Sequence, residues 1–464
     1  MTRSIAVYGN SFNPPGLHHR GIAEFLTQTF DEVVIVPCGP RPDKPSSDTL
    51  EPVYRAAMCD IAFRGLARVR VELFDLEQAS FTPSVLLDGH FAGEGEVWHV
   101  VNAEMIARGA SGESKIQQGW QGGVELWARG RFAVIARVSD VVDAADLPPH
   151  SRLLRIPIEG SSARIRERLF KRESIDDLLH PAVAEYVHRY RLYRGNVPIR
   201  ATTISLESPR VLVVADERNP RAQAWKPDFL RHEDGADPNC IVVLGGDGMM
   251  LSAVQEHWRL RLPFFGVNAG HLGFLLNHAD DVLGGRFPPS RMVLRQLPML
   301  YIETQGLDGR WTSHLTFNDA WVERSSGQSA WLEVRLNDQV RMSRLICDGA
   351  LVSTAAASTA YARSMGATPL LADTPAWLFV GSNVMQPMNW KSALLSLDAR
   401  VELKTLDPVK RPLRAYVHGI PCGEVLAIRA RMSRIATAEL AFCPEYDMAE
   451  KIAQIQFPRD VLFS

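Results

Sequence analysis

Residues 239–254, Asn-Cys-Ile-Val-Val-Leu-Gly-Gly-Asp-Gly-Met-Met-Leu-Ser-Ala-Val, constrain the fold more than any other stretch because their hydrophobic period changes in mid-course. Residues 241–244 are a continuous β-branched and aliphatic run that suits a strand covered on both faces, whereas Met249, Met250, Leu251 and Val254 follow a helical period. Between them stands Gly245-Gly246-Asp247-Gly248. Glycine lets a backbone approach a ligand closely, and the start of the following helix presents unpaired N–H groups to phosphate. Asp247 is then a carboxylate in a phosphate neighbourhood, a place that suits binding magnesium, accepting a proton or hydrogen-bonding a ribose hydroxyl. A tight turn whose aspartate caps the helix is the comparable alternative.

A chain of 464 residues calls for two or three domains. A hydrophobic share of 46%, a charged share of 22% and a formal charge of -2 give no electrostatic case for nucleic acid or an anionic membrane. Cys38, Cys59, Cys240, Cys347, Cys422 and Cys443 form neither a CxxC pair nor a zinc-ligand spacing and read as reduced, structural thiols. The N-terminus runs into a strand-like Ile-Ala-Val-Tyr without a long apolar h-region, and no apolar segment approaches the length of a membrane span, so a cytoplasmic protein is expected.

Candidate strands at residues 4–8, 32–36, 69–73, 97–101, 132–137 and 153–156 alternate with helical or irregular stretches, which implies a parallel α/β sheet. The proline-rich residues 37–45, with Lys44, would lie at the ligand edge of such a sheet. The first strand enters the glycine loop Gly9-Asn10-Ser11-Phe12-Asn13-Pro14, and His18-His19 precede a helical stripe of Ile22, Phe25, Leu26 and Phe30. Paired histidines there suit stabilisation of charge on a phosphoryl group, with a polar surface loop as the alternative. In Gly160-Ser161-Ser162-Ala163-Arg164-Ile165-Arg166, a serine cap and guanidinium groups converge on one anion site, or form a capped helix with a solvated basic face.

Residues 196–208 read as a linker, and residues 211–215 start a new sheet. Residues 264–276 are another strand with closely spaced glycines, either a second backbone segment near the same ligand or a structural turn. From residue 291 onward short strands alternate with turns, including the Asn337-Asp338 hairpin signal. Asn318-Asp319 interrupts an apolar run, where it points to a ligand, a metal or a turn between strands. Residues 347–361 are small and hydroxylated before Tyr361, leaving room for a ribose or base, or for a close-packed helix start.

The glycine loop at residues 9–14, the segment reaching Lys44, Tyr54-Arg55-Ala56-Ala57-Met58, Ser80-Phe81-Thr82, residues 161–166 and residues 181–193 occur in the order seen in nicotinate and nicotinamide mononucleotide adenylyltransferases, and residues 1–195 resemble that family. The resemblance implies a Rossmann-like nucleotidyltransferase sheet and adenylyl transfer from ATP to a pyridine mononucleotide, whose own phosphate attacks. It implies catalytic roles for His19 and Arg166 and nucleotide contacts for Gly9, Ser11, Phe12, His18, Lys44, Ser161 and Ser162. The chain departs from that pattern at Gly16, where the family has the first residue of its HxGH loop, and at His18, Ala163 and Glu104.

Residues 209–464 resemble the NAD kinases in Gly245-Gly246-Asp247-Gly248, residues 267–275, Asn318-Asp319 and residues 348–361. This second resemblance implies an α/β lobe at 209–290, a β-sandwich at 291–464, and phosphoryl transfer from ATP to the adenosine-ribose 2′-hydroxyl of NAD. Asp247 would orient or deprotonate that hydroxyl, while Gly245, Gly246, Gly248, Asn268 and Asp348 would serve NAD or ATP. Asn318, Asp319, Ser358, Thr359 and Tyr361 would line the NAD pocket. Met249 after the glycine turn, Ala355-Ala356-Ala357 and His418-Gly419 depart from the family pattern. Together the two resemblances imply a bifunctional enzyme that makes NAD and phosphorylates it to NADP, with ATP as co-substrate and Mg2+ or another divalent cation assisting. A pyridine-nucleotide-binding regulatory protein with degenerate centres, or a chain with only the kinase half active, are the alternatives. The metal ligands, the choice of nicotinamide or nicotinate, and assembly as a homo-oligomer stay open.

Overall fold

In the computed structural model, which describes residues 2–41, 49–195 and 201–457, the chain divides into two units, Met1–Ile199 and Arg200–Ser464. The first holds strands β1 (Ser4–Asn10), β2 (Glu32–Pro37), β3 (Val69–Val71), β4 (Glu96–Asn102), β5 (Arg131–Arg137) and β6 (Ser151–Ile156). They pair in parallel in the order β3-β2-β1-β4-β5-β6. Ile5, Val7, Val34 and Val36 pack with Leu87 and Phe91, and Val101, Phe132 and Val134 pack with Ile116, Leu126 and Trp127. Helices therefore cover the sheet, which is why its strands read as unbroken apolar runs. The strand order reverses between β1 and β4, and such a reversal opens a crevice at the carboxyl ends of the strands.

The second unit begins with β7 (Ala201–Ile204), β8 (Val211–Ala215), β9 (Cys240–Gly245) and β10 (Pro263–Asn268). The last three are parallel neighbours. There follow β11 (Met292–Gly306), β12 (Trp311–Thr316), β13 (Asp319–Arg324), β14 (Ala330–Leu336), β15 (Gln339–Cys347) and β16 (Gly349–Thr354). The series ends with β17 (Ala376–Ser382), β18 (Ser392–Ser396), β19 (Arg400–Thr405), β20 (Leu413–Val417) and β21 (Ile420–Phe442). Leu300, Ala320, Leu332, Val352, Trp377, Leu403, Ala415 and Ile428 meet in one core, so the antiparallel strands fold over onto a shared apolar face. Asn337 and Asp338 take left-handed φ values of 50° and 63°, the backbone that a two-residue turn between β14 and β15 requires.

Two expected boundaries are corrected. Within the supposed linker at 196–208, β7 pairs antiparallel with the start of β11, and Ile204 packs into the α/β core; residues 196–200 lie outside the described residues. Nor does the chain divide cleanly at 290/291. The long β21 pairs with β20 and β19, runs antiparallel to β11, and then lies parallel to β10, returning the chain to the α/β lobe. All six cysteines are free thiols, five of them buried. Among the described residues no helix is long and apolar enough to cross a membrane.

Asn277 fastens that return. Its buried amide donates to the carbonyls of Gly266 (2.9 Å) and Ala441 (3.1 Å), and its oxygen accepts the Cys443 N–H (2.7 Å). Asn277→Ala removes three buried hydrogen bonds, although the Gly266 carbonyl keeps the Asn277 backbone N–H, and is expected to destabilise this unit by about 3 kcal/mol. Denaturant unfolding of the full chain measures the loss, and a midpoint equal to that of the parent protein contradicts it.

Candidate functional site

At the carboxyl ends of β8, β9 and β10 the backbone breaks into polar turns carrying Asp216, Asp247 and Asn268. Ala269 donates to the Gly245 carbonyl (2.8 Å), and Asn219, which caps helix Pro220–Leu230, donates to the Ala269 carbonyl (3.2 Å). A Cβ at Gly245 would lie 2.7 Å from that of Met249, so the turn closes on glycine, whereas the same position at Gly246 and Gly248 meets nothing within 4 Å. Helix Asp247–His257 has Gly246 at its N-cap and no side-chain cap. Asp247 is therefore not the cap of its helix. Its carboxylate turns away from its own helix and accepts the N–H groups of Phe274 (3.0 Å, at Oδ2) and Leu275 (2.8 Å, at Oδ1). Burial raises its pKa, against the pull of the two amides and of the nearby Lys451 ammonium.

Asn268 is committed to its own loop. Its oxygen accepts the Gly270 N–H (2.9 Å) and its nitrogen donates to the His271 carbonyl (3.4 Å). Gly273, at φ 59°, makes room for it, since a Cβ there would come within 2.5 Å of the Asn268 side chain. Asn268 therefore shapes the turn.

A second cluster surrounds the Asn318-Asp319 step between β12 and β13. The Asn318 side-chain oxygen accepts the Thr316 hydroxyl (2.6 Å) and lies 2.7 Å from Nδ1 of His418, a residue absent from the expected site. Asp319 is 1% exposed, its Oδ1 has no hydrogen-bond partner, and burial pushes its pKa up to about 6. Side chains two apart share a strand face, so Asp319 and Trp321 point the same way. Trp321 stacks on Tyr416 with ring centres 4.8 Å apart and lies 5.7 Å from Tyr361, which is exposed. Gln255, on the helix that starts at Asp247, donates to the Leu315 carbonyl (2.8 Å), which ties that helix to β12, the strand leading into this cluster.

Asp348 is not brought into it. Its carboxylate pairs with Arg324 (2.7 Å) and accepts from Asn383 (2.9 Å) at the opposite end of β13, roughly 16 Å of strand from Asp319. Ser358 is buried as a loop staple, accepting the Leu370 N–H (2.9 Å) and donating to the Leu370 carbonyl (3.2 Å). Ala355, Ala356 and Ala357 are buried beside it, where the Thr354 hydroxyl donates to the Phe317 carbonyl (2.7 Å). Both readings of this segment thus hold in part: residues 355–358 are close-packed, while half-buried Thr359 and exposed Tyr361 face outward.

In the first unit a cleft of ≈ 610 Å³ opens where the strand order reverses. Its walls bring together Ser11, His18, His19, Ser161, Ser162 and Arg166. Gly16 and Gly160 both border the His18 ring. A Cβ at Gly16 would lie 2.7 Å from the His18 ring, and one at Gly160 would lie 2.3 Å from it, so both glycines leave space for that imidazole. Burial, then the positive charge of Arg137, lowers the His18 pKa to about 4, which makes the ring neutral near pH 7. His19 is buried against Phe12, and its Nδ1 accepts the Gly16 N–H (3.1 Å). Ser161 caps helix Ser162–Lys171, Ser162 donates to the Pro14 carbonyl (2.8 Å), and Arg166 donates to the Asn13 carbonyl (2.5 Å).

Phe12 is corrected from ligand contact to core. It is fully buried and meets Tyr8, His19 and Phe63 edge-on. Gly9 is exposed with nothing within 4 Å of the position a Cβ would take, Glu104 is an exposed residue of the cleft wall paired with Lys115 (3.6 Å), and Lys44 lies outside the described residues. Arg137 was missed, although a charge at the carboxyl end of a buried parallel strand was the available signal. Among the described residues no three His, Cys, Asp or Glu side chains are grouped to hold a metal.

A parallel sheet ending in a glycine turn that carries a partly buried carboxylate has the form of a nucleotide site. A family model for the ATP-NAD kinase N-terminal domain matches residues 190–281. An NAD kinase of Xanthomonas campestris is 32% identical over 255 residues, which cover 54% of this chain and 98% of that protein. One from Cereibacter sphaeroides is 33% identical over 225 residues, covering 48% and 87%. The chain belongs to the NAD kinase family. Yeast NADH kinase complexed with NADH aligns with a TM-score of 0.48 at 16% identity, over 57% of this chain and 93% of its own, and the assignment rests on the sequence relatives alone.

Asp319 carries a testable cost. Its folded pKa of about 6 lies above the ordinary carboxyl value, so the folded state holds its proton longer and stability is lost as pH rises from about 4 through about 6. Asp319→Asn is expected to be more stable than the parent by up to about 3 kcal/mol at pH 8, with the gap closing near pH 4. Unfolding of both proteins across that range is the measurement, and a gap independent of pH removes the assigned shift.

Proposed function

We propose that the second unit transfers the terminal phosphoryl group of ATP to the adenosine-ribose 2′-hydroxyl of NAD, giving NADP and ADP. The observation that carries this reading is Asp247, whose two oxygens are held by the Phe274 and Leu275 amides at the carboxyl end of the parallel sheet. Each oxygen keeps a further acceptor site for the ribose hydroxyl. As that hydroxyl oxygen forms its bond to the γ-phosphorus and the bond to ADP breaks, Asp247 takes the proton. The open sides of Gly246 and Gly248, at the positive end of the helix, suit the phosphates. Asp319, with its unpaired oxygen, and the Trp321, Tyr416 and Tyr361 shelf would hold a ribose and a base. Magnesium would arrive with the nucleotide phosphates and neutralise their charge.

The first unit supports a second activity, adenylyl transfer from ATP to a nicotinamide or nicotinate mononucleotide. Support comes from the cleft at the strand reversal, where His18, His19, Ser161, Ser162 and Arg166 share one wall system. A neutral His18 would serve there as a hydrogen-bond donor to phosphate in place of a cation. The product of this half is the substrate of the other.

Full-length protein incubated with mononucleotide, ATP and magnesium is expected to form both NAD and NADP. Asp247→Asn should slow NADP formation by about a hundredfold or more while NAD binding persists, and an unchanged rate rules out the proton-acceptor role. His19→Ala should suppress NAD formation and leave phosphorylation of added NAD intact. Mononucleotide binding without NAD formation would assign the first unit to binding alone.

A further inference from the structure

The residues after β21 belong to none of the motifs read from the sequence, yet they reach the loop that holds Asp247. Helix Met448–Gln456, capped by Asp447, turns Lys451 inward, where it is 3% exposed. Its ammonium donates to the carbonyls of Gly273 and Leu276, the latter at 2.8 Å, and lies 4.5 Å from the centre of the Tyr446 ring. The Tyr446 hydroxyl donates to the Phe274 carbonyl.

These contacts are paired with the Asp247 clamp one peptide group at a time. The carbonyl of Gly273 and the N–H of Phe274 belong to the same peptide group: the first accepts from Lys451 and the second donates to Asp247 Oδ2. The carbonyl of Phe274 and the N–H of Leu275 form the next peptide group: the first accepts from Tyr446 and the second donates to Asp247 Oδ1. Each carboxylate oxygen is therefore joined through one peptide group to one side chain of the C-terminal segment. A carbonyl that accepts a hydrogen bond polarises its peptide and strengthens the N–H on the other side. The charged groups around this relay are Asp247 and Lys451 themselves with Asp281, Arg295 and Asp447, and the Tyr446 phenol lies beside them.

We propose that Tyr446 and Lys451 are positioning residues of the phosphoryl-transfer centre, orienting and polarising two successive peptide groups so that their amides fix both oxygens of Asp247 for the substrate hydroxyl. The proposal rests on the role given to Asp247 above. Burying a lysine is costly unless its N–H groups are used, and here they are spent on the loop that carries those amides.

The test measures kcat and KM for NADP formation by the full-length chain carrying Tyr446→Phe, Lys451→Met or Lys451→Arg, each alone and combined with Asp247→Asn. Tyr446→Phe and Lys451→Met are expected to lower kcat about tenfold with KM for NAD within about twofold, and Lys451→Arg to keep more of the rate. Because both act through Asp247, neither should lower the residual rate further when Asp247→Asn is present. Hydrogen exchange at the Phe274 and Leu275 amides should accelerate in both variants. Where Lys451→Met does not fold, Tyr446→Phe, which removes a single hydroxyl, decides. A folded Tyr446→Phe with unchanged kcat or unchanged exchange overturns the positioning role while Asp247→Asn still loses activity, and full losses in the Asp247→Asn background do the same. A fully active Asp247→Asn overturns the reading of Asp247 and the proposal with it.

Discussion

The hydrogen bonds from the Phe274 and Leu275 amides to Asp247 join three parts of the second unit: the glycine turn after β9, the loop after β10, and the C-terminal segment that grips that loop from behind. Without them the carboxylate would stand on the first turn of its helix with nothing to fix its direction. With them it is half-buried, its pKa is raised by desolvation, and the amides and Lys451 oppose that rise. The general-base role proposed for Asp247 calls for such a balance, since an unperturbed carboxylate is a weak base at neutral pH and a wholly desolvated one holds its proton.

The fold supports that balance by bringing distant residues to one sheet edge. β21 leaves the sandwich, runs beside β11 and ends parallel to β10, and Asn277 fastens the join. The C-terminal segment therefore lies behind the 273–276 loop as a consequence of strand pairing. The strand leading into the polar Asn318-Asp319 step is held by Gln255, and a carboxylate left with an unpaired oxygen at that step is a strain that a ligand would relieve.

In the first unit the crossing point of the sheet does comparable work. His18 occupies space that Gly16 and Gly160 leave open. Arg166 and Ser162 bind the carbonyls of the glycine loop and hold it against the helix that carries them. Their hydrogen-bonding groups serve the loop as well as the cleft.

Local sequence determined the parallel strands, the glycine turn and the Asn337-Asp338 hairpin, because each depends on short-range period or on a backbone conformation that few residues adopt. It also marked polar residues that line the first-unit cleft, such as Ser11, His18, His19, Ser161, Ser162 and Arg166, and those at the glycine turn of the second unit, since polar groups beside apolar runs stand out. What it did not contain was direction. Whether Asp247 caps its own helix, whether Asn268 faces a ligand, whether Phe12 is core, and which end of β13 receives Asp348 are decided by strand register and by contacts between residues far apart in the chain. Lys451 and Tyr446 lie about 175 positions beyond the loop they hold, and no local pattern encodes that distance. The chemistry available at the site was thus legible in residue types, whereas its orientation belongs to the tertiary structure, because hydrogen bonds are directional and only the folded backbone sets their angles.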